Sequence, residues 1–225
     1  MTTPLHHTVP VLPQGPALHD GFHALSWASI PALQIQHFHH KSSAHRPTVA
    51  VRLAASRTHL HCCWQVMDAQ VVSKVTEPNG SVCTDSCVEL FFAPKSGHGY
   101  FNLEINAGGT KHCSYIEDSR VVDGAFAKMR FLTPSDLTKI AVRSTLPPVI
   151  SPEIAGPTTW EMAVAIPFEV LSDYVGQLIE PAGTWRANLY KCADLSSTPH
   201  WASWSPIGER LAFHQPEFFG SLHFT

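Results

Sequence analysis

Apolar and polar residues alternate with a period of two through most of the chain after residue 45, the mark of strands with one buried face. Thr48–Ala54 turns Val49, Val51 and Leu53 to one side, and His59–Met67 sets Leu60, Cys62, Trp64 and Val66 against His59, His61, Cys63, Gln65 and Met67. Val88, Leu90 and Phe92 alternate with Cys87, Glu89 and Phe91, and after a Pro94-to-Gly99 turn Phe101, Leu103 and Ile105 alternate with Tyr100, Asn102, Glu104 and Asn106. Further strands are expected at Lys111–Ile116, Thr138–Leu146, Thr159–Ile166 and Trp185–Lys191, with loops at Pro147–Pro157 and His200–Pro206. Only Pro167–Val175 reads as a helix, with Pro in the first turn and Phe168, Leu171 and Val175 on one side. Many short strands with Gly/Pro punctuation predict an all-β, antiparallel two-sheet β-sandwich of jelly-roll or immunoglobulin-like type, with at most one or two short helices. Residues 1–26 show no period and are expected to form an extended arm; residues 27–225 read as one domain.

The hairpin from Thr84 to Ala107 carries the most chemistry. A turn centred on Pro94–Gly99 pairs Phe92 with Phe101 inside and sets Glu89 opposite Glu104 on the other face. Like charges directly across strands are unfavourable. That face is therefore expected to be wet, to bind a cation, or to sit beside Arg or Lys. Arg186, which shares one side of Trp185–Lys191 with Asn188 and Tyr190, is the expected counter-ion, and Lys191 is expected to reach the strand end.

Asp85-Ser-Cys-Val-Glu89, Phe101-Asn-Leu-Glu-Ile-Asn106 with Gly108, Trp160 with Ala163, Ile166 and Pro167, Arg186-Ala-Asn-Leu-Tyr-Lys191, Trp204-Ser-Pro206, and His214 with Phe219-Gly220 follow one another in order. In these segments the chain resembles the carbohydrate-binding family 9-like proteins, relatives of xylanase-associated binding modules and of DOMON-type sandwiches. The resemblance implies a non-catalytic protein that holds a mono- or oligosaccharide on the polar sheet face. Its expected binding residues are Glu89, Glu104, Asn106, Arg186, Asn188, Lys191, Trp201, Trp204 and His214. Planar carboxylates, amides and guanidinium groups bond neighbouring hydroxyls, and an aromatic ring stacks on the sugar. Two tryptophans clamp the sugar in family 9 modules, one of them six residues before the position of Glu89. Cys83 stands there in this chain, leaving Trp64, Tyr100 or Trp201 as substitutes.

Composition narrows the rest. The chain has 225 residues and a net charge of -3, so it carries no broad basic field for nucleic acid. No apolar run approaches the roughly 18 residues of a membrane span, and the start of the chain does not read as a signal peptide, so a cytoplasmic location is expected. The six cysteines read as reduced thiols, and Cys62 and Cys63, adjacent on one strand, point to opposite faces. A zinc site from Cys83, Cys87, Cys113 and a His matches no familiar spacing. Among the 15 histidines, His37, His39 and His40 cluster and His59 and His61 share a strand face, but none has a carboxylate or Cys at fixed spacing. The sequence implies no cofactor beyond a structural calcium on the carboxylate face. Directly opposed, Glu89 and Glu104 would lie about 5 Å apart at Cβ, near a retaining glycosidase pair. No nucleophile elbow, phosphate loop or dinucleotide fingerprint accompanies them. The alternative from another class is haem ligation, for which Met67, Met129, His112 and Lys191 are the available residues; a hydrolase-associated role is the other.

Overall fold

In the computed structural model, which describes residues 5–225, the strands are β1 (His6–Val9), β2 (Ala32–Ile35), β3 (His37–Phe38), β4 (Thr48–Ala55), β5 (His59–Ser73), β6 (Cys87–Ala93), β7 (Tyr100–Asn106), β8 (Lys111–Val122), β9 (Ala125–Phe131), β10 (Ala141–Ser144), β11 (Ile150–Pro167), β12 (Thr184–Cys192), β13 (Trp201–Ser203) and β14 (Gly220–Phe224). Three short helices join them: α1 (Leu25–Ala28), α2 (Pro134–Lys139) and α3 (Phe168–Val175). One sheet runs β1-β14-β12-β6-β7-β8-β9, with β13 beside the end of β12 and β3 beside β13; the other runs β10-β11-β5-β4-β2. All pairings are antiparallel except that of β1 with β14. The architecture is the expected two-sheet β-sandwich.

The inward residues of the alternating strands meet between the sheets. Val88, Leu90 and Phe92 lie beside Phe101, Leu103 and Ile105, and across the core from them stand Val49, Val51, Leu53, Trp64, Trp160 and Met162, all buried. Phe92 stacks on Phe101 with ring centroids 5.3 Å apart, so the turn sets the expected register. Burying side chains of this size contributes on the order of 2 kcal/mol each, and this offsets the entropy of ordering the chain.

The elements differ from the sequence reading where polar chemistry, not hydrophobic period, decides. Within the expected N-terminal arm, β1 pairs with β14, and Phe22, with Trp27 just beyond it, packs with Cys63 and Ala163 on the outer side of the five-stranded sheet. Thr138–Leu146 holds the end of α2 as well as β10. Thr133 caps α2, its hydroxyl accepting the Asp136 N–H at 3.2 Å, with Pro134 in the first turn. Lys111 Nζ donates to the Leu137 and Ile140 carbonyls at the other end. The strand expected to stop at Ile116 runs on to Val122 and turns through Asp123-Gly124, both at positive φ, into β9. From Ile150 onward the expected Pro147–Pro157 loop is the first part of β11, and β13 lies within the expected His200–Pro206 loop.

Candidate ligand pocket on the outer face of the nine-stranded sheet

The outer face of the nine-stranded sheet bears Glu89, Phe91, Tyr100, Asn102, Glu104, Asn188 and Tyr190, and a strap of chain from Ser205 to Phe219 lies across it. Asn188 holds the strap's start: its Nδ2 donates to the Ser205 carbonyl at 2.9 Å and its Oδ1 accepts the Ser205 N–H at 2.8 Å. The Tyr190 hydroxyl donates to the Phe213 carbonyl at 3.0 Å, and the two rings stack with centroids 4.0 Å apart. Arg186 holds the strap's end by donating to the Pro216, Phe219 and Gly220 carbonyls. Asn188 and Arg186 thus hold the two ends of the strap. Phe91, Tyr100, Ile116 and Tyr190 of the sheet form an apolar cluster with Ile207 and Phe219 of the strap.

The strap leaves a pocket of about 310 Å³ over the polar half of the face. Glu89, Glu104 and Asp194 bring carboxyls to it, and Phe91, Trp201 and Phe213 bring rings. Cys83, Cys192 and His214 complete its chemistry. Glu89 is the direct cross-strand partner of Glu104. The face is not wet: Glu89 is 2% exposed and Glu104 7%. Neither Arg186 nor Lys191 forms an ion pair with the two, although the Lys191 charge still acts on Glu89 from the other face of β12. Burial, then Glu104, push the Glu89 carboxyl well above the usual carboxylate range; burial also raises Glu104, against the pull of His112. Glu104 Oε1 accepts from Asn102 Nδ2 at 2.9 Å, and Asn102 Oδ1 is fixed by the Ser114 N–H and hydroxyl. Glu89 Oε1 accepts the Cys192 thiol at 3.0 Å, whereas Oε2 is buried with no hydrogen-bond partner among the described residues. Asp194 accepts the Trp201 indole N–H at 2.7 Å, and burial raises its carboxyl too.

The remaining expected site residues divide. Trp201 and His214 line the pocket. His214 Nδ1 lies 3.0 Å from the Tyr100 hydroxyl, and burial lowers its pKa to about 4, so the ring is neutral near pH 7. Trp204 belongs to the core, not the rim: it is 5% exposed and lies against Gly220, where a Cβ would come within 2.7 Å of its ring. Asn106 is committed to a turn, donating to the Val75 carbonyl and Asp85 and accepting the Thr110 N–H. Lys191 falls outside the pocket by strand parity, opposite the inward-facing Val88, and its Nζ reaches His200 Nε2 at 2.8 Å and Asp68 in the interior. Of the three tryptophan substitutes, Trp64 is a core residue and the Tyr100 hydroxyl is engaged by His214, which leaves Trp201 as the ring on the pocket.

Cys62 and Cys63 do face opposite sides of their strand, one in the main core and one against Trp27. Cys113 points into the core, so it cannot join Cys83 and Cys87. His39 bonds the Glu209 carbonyl and His59 the Thr58 hydroxyl. The residues considered for haem do not converge: Met67 is exposed on the five-stranded sheet, His112 is opposite Glu104, Met129 is opposite Ile116, and Lys191 is interior. Sequence reasoning missed Asp194, Cys192, Leu211 and Phe213. The outward parity of Cys192 could have found one of them; the others stand in loops without period.

A β-sandwich with a partly open pocket of carboxyls and aromatic rings on one sheet face has the architecture of a ligand-binding module. The chain belongs to carbohydrate-binding family 9, which it matches over residues 21–224. It is similar to a "putative carbohydrate-binding protein" from Bacteroides uniformis ATCC 8492, with 28% identity, TM-score 0.85 and coverage of 99% of this chain and 100% of that one. A family 9 module from Caldicellulosiruptor kristjanssonii in complex with cellotriose shares the fold at 11% identity, TM-score 0.60 and coverage of 98% and 94%. A structure of a family 9 module from the same organism with glucose gives 10% identity, TM-score 0.58 and coverage of 97% and 95%. No curated protein matches the chain.

Proposed function

We propose that the pocket under the strap binds a saccharide of one or two rings without chemical conversion, with Trp201 as the stacking ring and Glu89, Glu104 and Asp194 as hydroxyl acceptors. The observation that carries the reading is the convergence of these carboxyls with Trp201 in one pocket of about 310 Å³. That volume is at the lower end of the range for small-molecule sites, roughly 300–1,000 Å³. Sugar hydroxyls donate to carboxyl oxygens, which accept whether or not the group is ionised. The indole N–H of Trp201 is already held by Asp194, so its plane is fixed before a ligand arrives. Family membership supports the ligand class, as do the cellotriose and glucose held by the two structural relatives. Titration with glucose, xylose and cellobiose, followed by calorimetry and tryptophan fluorescence, tests it. Saturable binding lost in Trp201→Ala supports the reading; no heat and no fluorescence change with any of a broad sugar panel overturns it.

A further inference from the structure

Cys87 and Cys192 are direct cross-strand partners on β6 and β12, and both thiols lie on the outer face. Glu89 is two residues beyond Cys87, on the same face. One ligand atom from each of Cys87, Glu89 and Cys192 lies within 4.8 Å of the others, and all three residues are buried. Cys192 donates to one oxygen of Glu89, while the second oxygen is buried without a partner among the described residues. No basic side chain bonds the three side chains among the described residues: Arg186 is taken by the strap, and Lys191, whose charge still acts on Glu89 and Cys87, bonds the Cys192 carbonyl, His200 and Asp68 instead. A buried acidic oxygen without a donor costs stability unless something positive meets it.

We infer that Cys87 Sγ, Cys192 Sγ and a Glu89 carboxylate oxygen bind one thiophilic divalent cation, zinc, at the floor of the pocket. Tetrahedral zinc holds sulphur at about 2.3 Å, which needs ligand atoms roughly 3.8 Å apart. The present spacing of the three, within 4.8 Å, has to close by up to about 1 Å to reach that. Two sulphurs select zinc over calcium, which takes six to eight oxygens. Binding exchanges the two thiol protons, and that of the glutamic acid, for the ion, and the protons pass to water. Glu89 and Cys192 both line the pocket, so the fourth position of the ion faces its contents. The inference does not depend on the sugar reading.

The test uses the full chain, kept reduced and stripped of metal by a chelator. Calorimetry with zinc chloride and absorbance with cobalt(II) are expected to give one ion per chain and a thiolate-to-cobalt charge-transfer band. Cys87→Ser and Cys192→Ser are expected to weaken zinc at least a hundredfold and remove the band, while Cys113→Ser, altering a core thiol, keeps both. Glu89→Gln keeps the thiolate band with at least tenfold weaker zinc, and it decides the matter if a serine variant fails to give the native circular dichroism spectrum. Absence of stoichiometric zinc, a cobalt spectrum without thiolate character, or a Cys87–Cys192 disulfide in freshly prepared protein overturns the inference. Sugar titrations of the metal-free and zinc-loaded chain separate the two readings, since sugar binding by the metal-free chain stands whatever the metal result.

Discussion

Lys191 Nζ lies 3.5 Å from Asp68 Oδ2, with both side chains wholly buried, and so ties the nine-stranded sheet to the five-stranded one through the interior. The pair is the centre of a network. Lys191 also donates to the Cys192 carbonyl and to His200 Nε2, His200 Nδ1 donates to the Thr198 carbonyl, and His45 Nε2 lies 2.6 Å from Asp68 Oδ1. Burial opposes ionisation of Asp68, but Lys191 and the His45 bond together hold its carboxyl below the usual range.

Removing one partner leaves the other charge buried and unpaired. Lys191→Met is expected to destabilise the fold by about 3–5 kcal/mol, and Asp68→Asn by a similar amount. The double variant is expected to lose clearly less than the sum of the two. Urea denaturation of the three proteins checks this; strictly additive losses would show that the pair is not coupled.

His200 makes the same network sensitive to acid. Burial and then Lys191 lower its pKa to about 3, below the ordinary value near 6.5. Between those values the unfolded chain binds a proton that the folded chain does not, so this contribution to stability falls as pH drops from about 6.5 toward 3. His200→Gln is expected to flatten the acid limb of a pH–Tm profile over that window, measured against wild type. An unchanged limb would place the acid sensitivity elsewhere.

Glu89 works with the opposite sign. Its folded pKa is raised, so folding favours the protonated acid, and the cost of keeping it protonated grows as pH rises above the unfolded value near 4.3. In metal-free protein, Glu89→Gln is expected to be close to neutral at pH 4 and stabilising by pH 8, with the gain increasing between. Chemical denaturation at several pH values measures it. A glutamine variant less stable than wild type at pH 8 would mean that the carboxylate has an ionic partner in the folded chain.

Much of this fold was legible because its strands bury one face cleanly. The parity that put Phe92 against Phe101 also put Glu89 against Glu104. The same parity, carried one residue past Tyr190, places Lys191 inward with Val88, yet its charge suggested the polar face. Period could not show that the outer face is covered, because the strap from Ser205 to Phe219 is irregular and is held by side-chain bonds to backbone carbonyls. Arg186 and Asn188 were correctly placed on the outer face, but their polar atoms bond that strap. Asp123-Gly124 and the Thr133 cap were short-range signals outweighed by the search for alternation in an exposed, polar stretch.

Asn188 offers a direct measure of how the strap is held. Asn188→Ala removes both bonds to Ser205 and leaves its buried N–H and C=O without those partners, which is expected to cost on the order of 2 kcal/mol or more. Local opening should follow, seen as faster amide hydrogen exchange from Ser205 to Phe219 than in β6 and β7. Uniformly raised exchange across the chain would mean that the strap is no more independent than the sheets.

The two tryptophans near the strap should separate stability from binding. Trp204 is part of the core and lies against Gly220, so Trp204→Ala is expected to cost about 3–5 kcal/mol and to lower Tm strongly. Trp201 is half-buried on the pocket wall, and its indole N–H serves Asp194. Trp201→Ala should cost far less stability while reducing sugar affinity at least tenfold, about 1.4 kcal/mol, because it removes the stacking ring and frees Asp194. Trp201→Phe keeps a ring but loses the N–H, and should retain part of the affinity. Thermal denaturation and sugar titration on the same preparations settle the assignment: sugar binding unaffected in Trp201→Ala would remove that ring from the site.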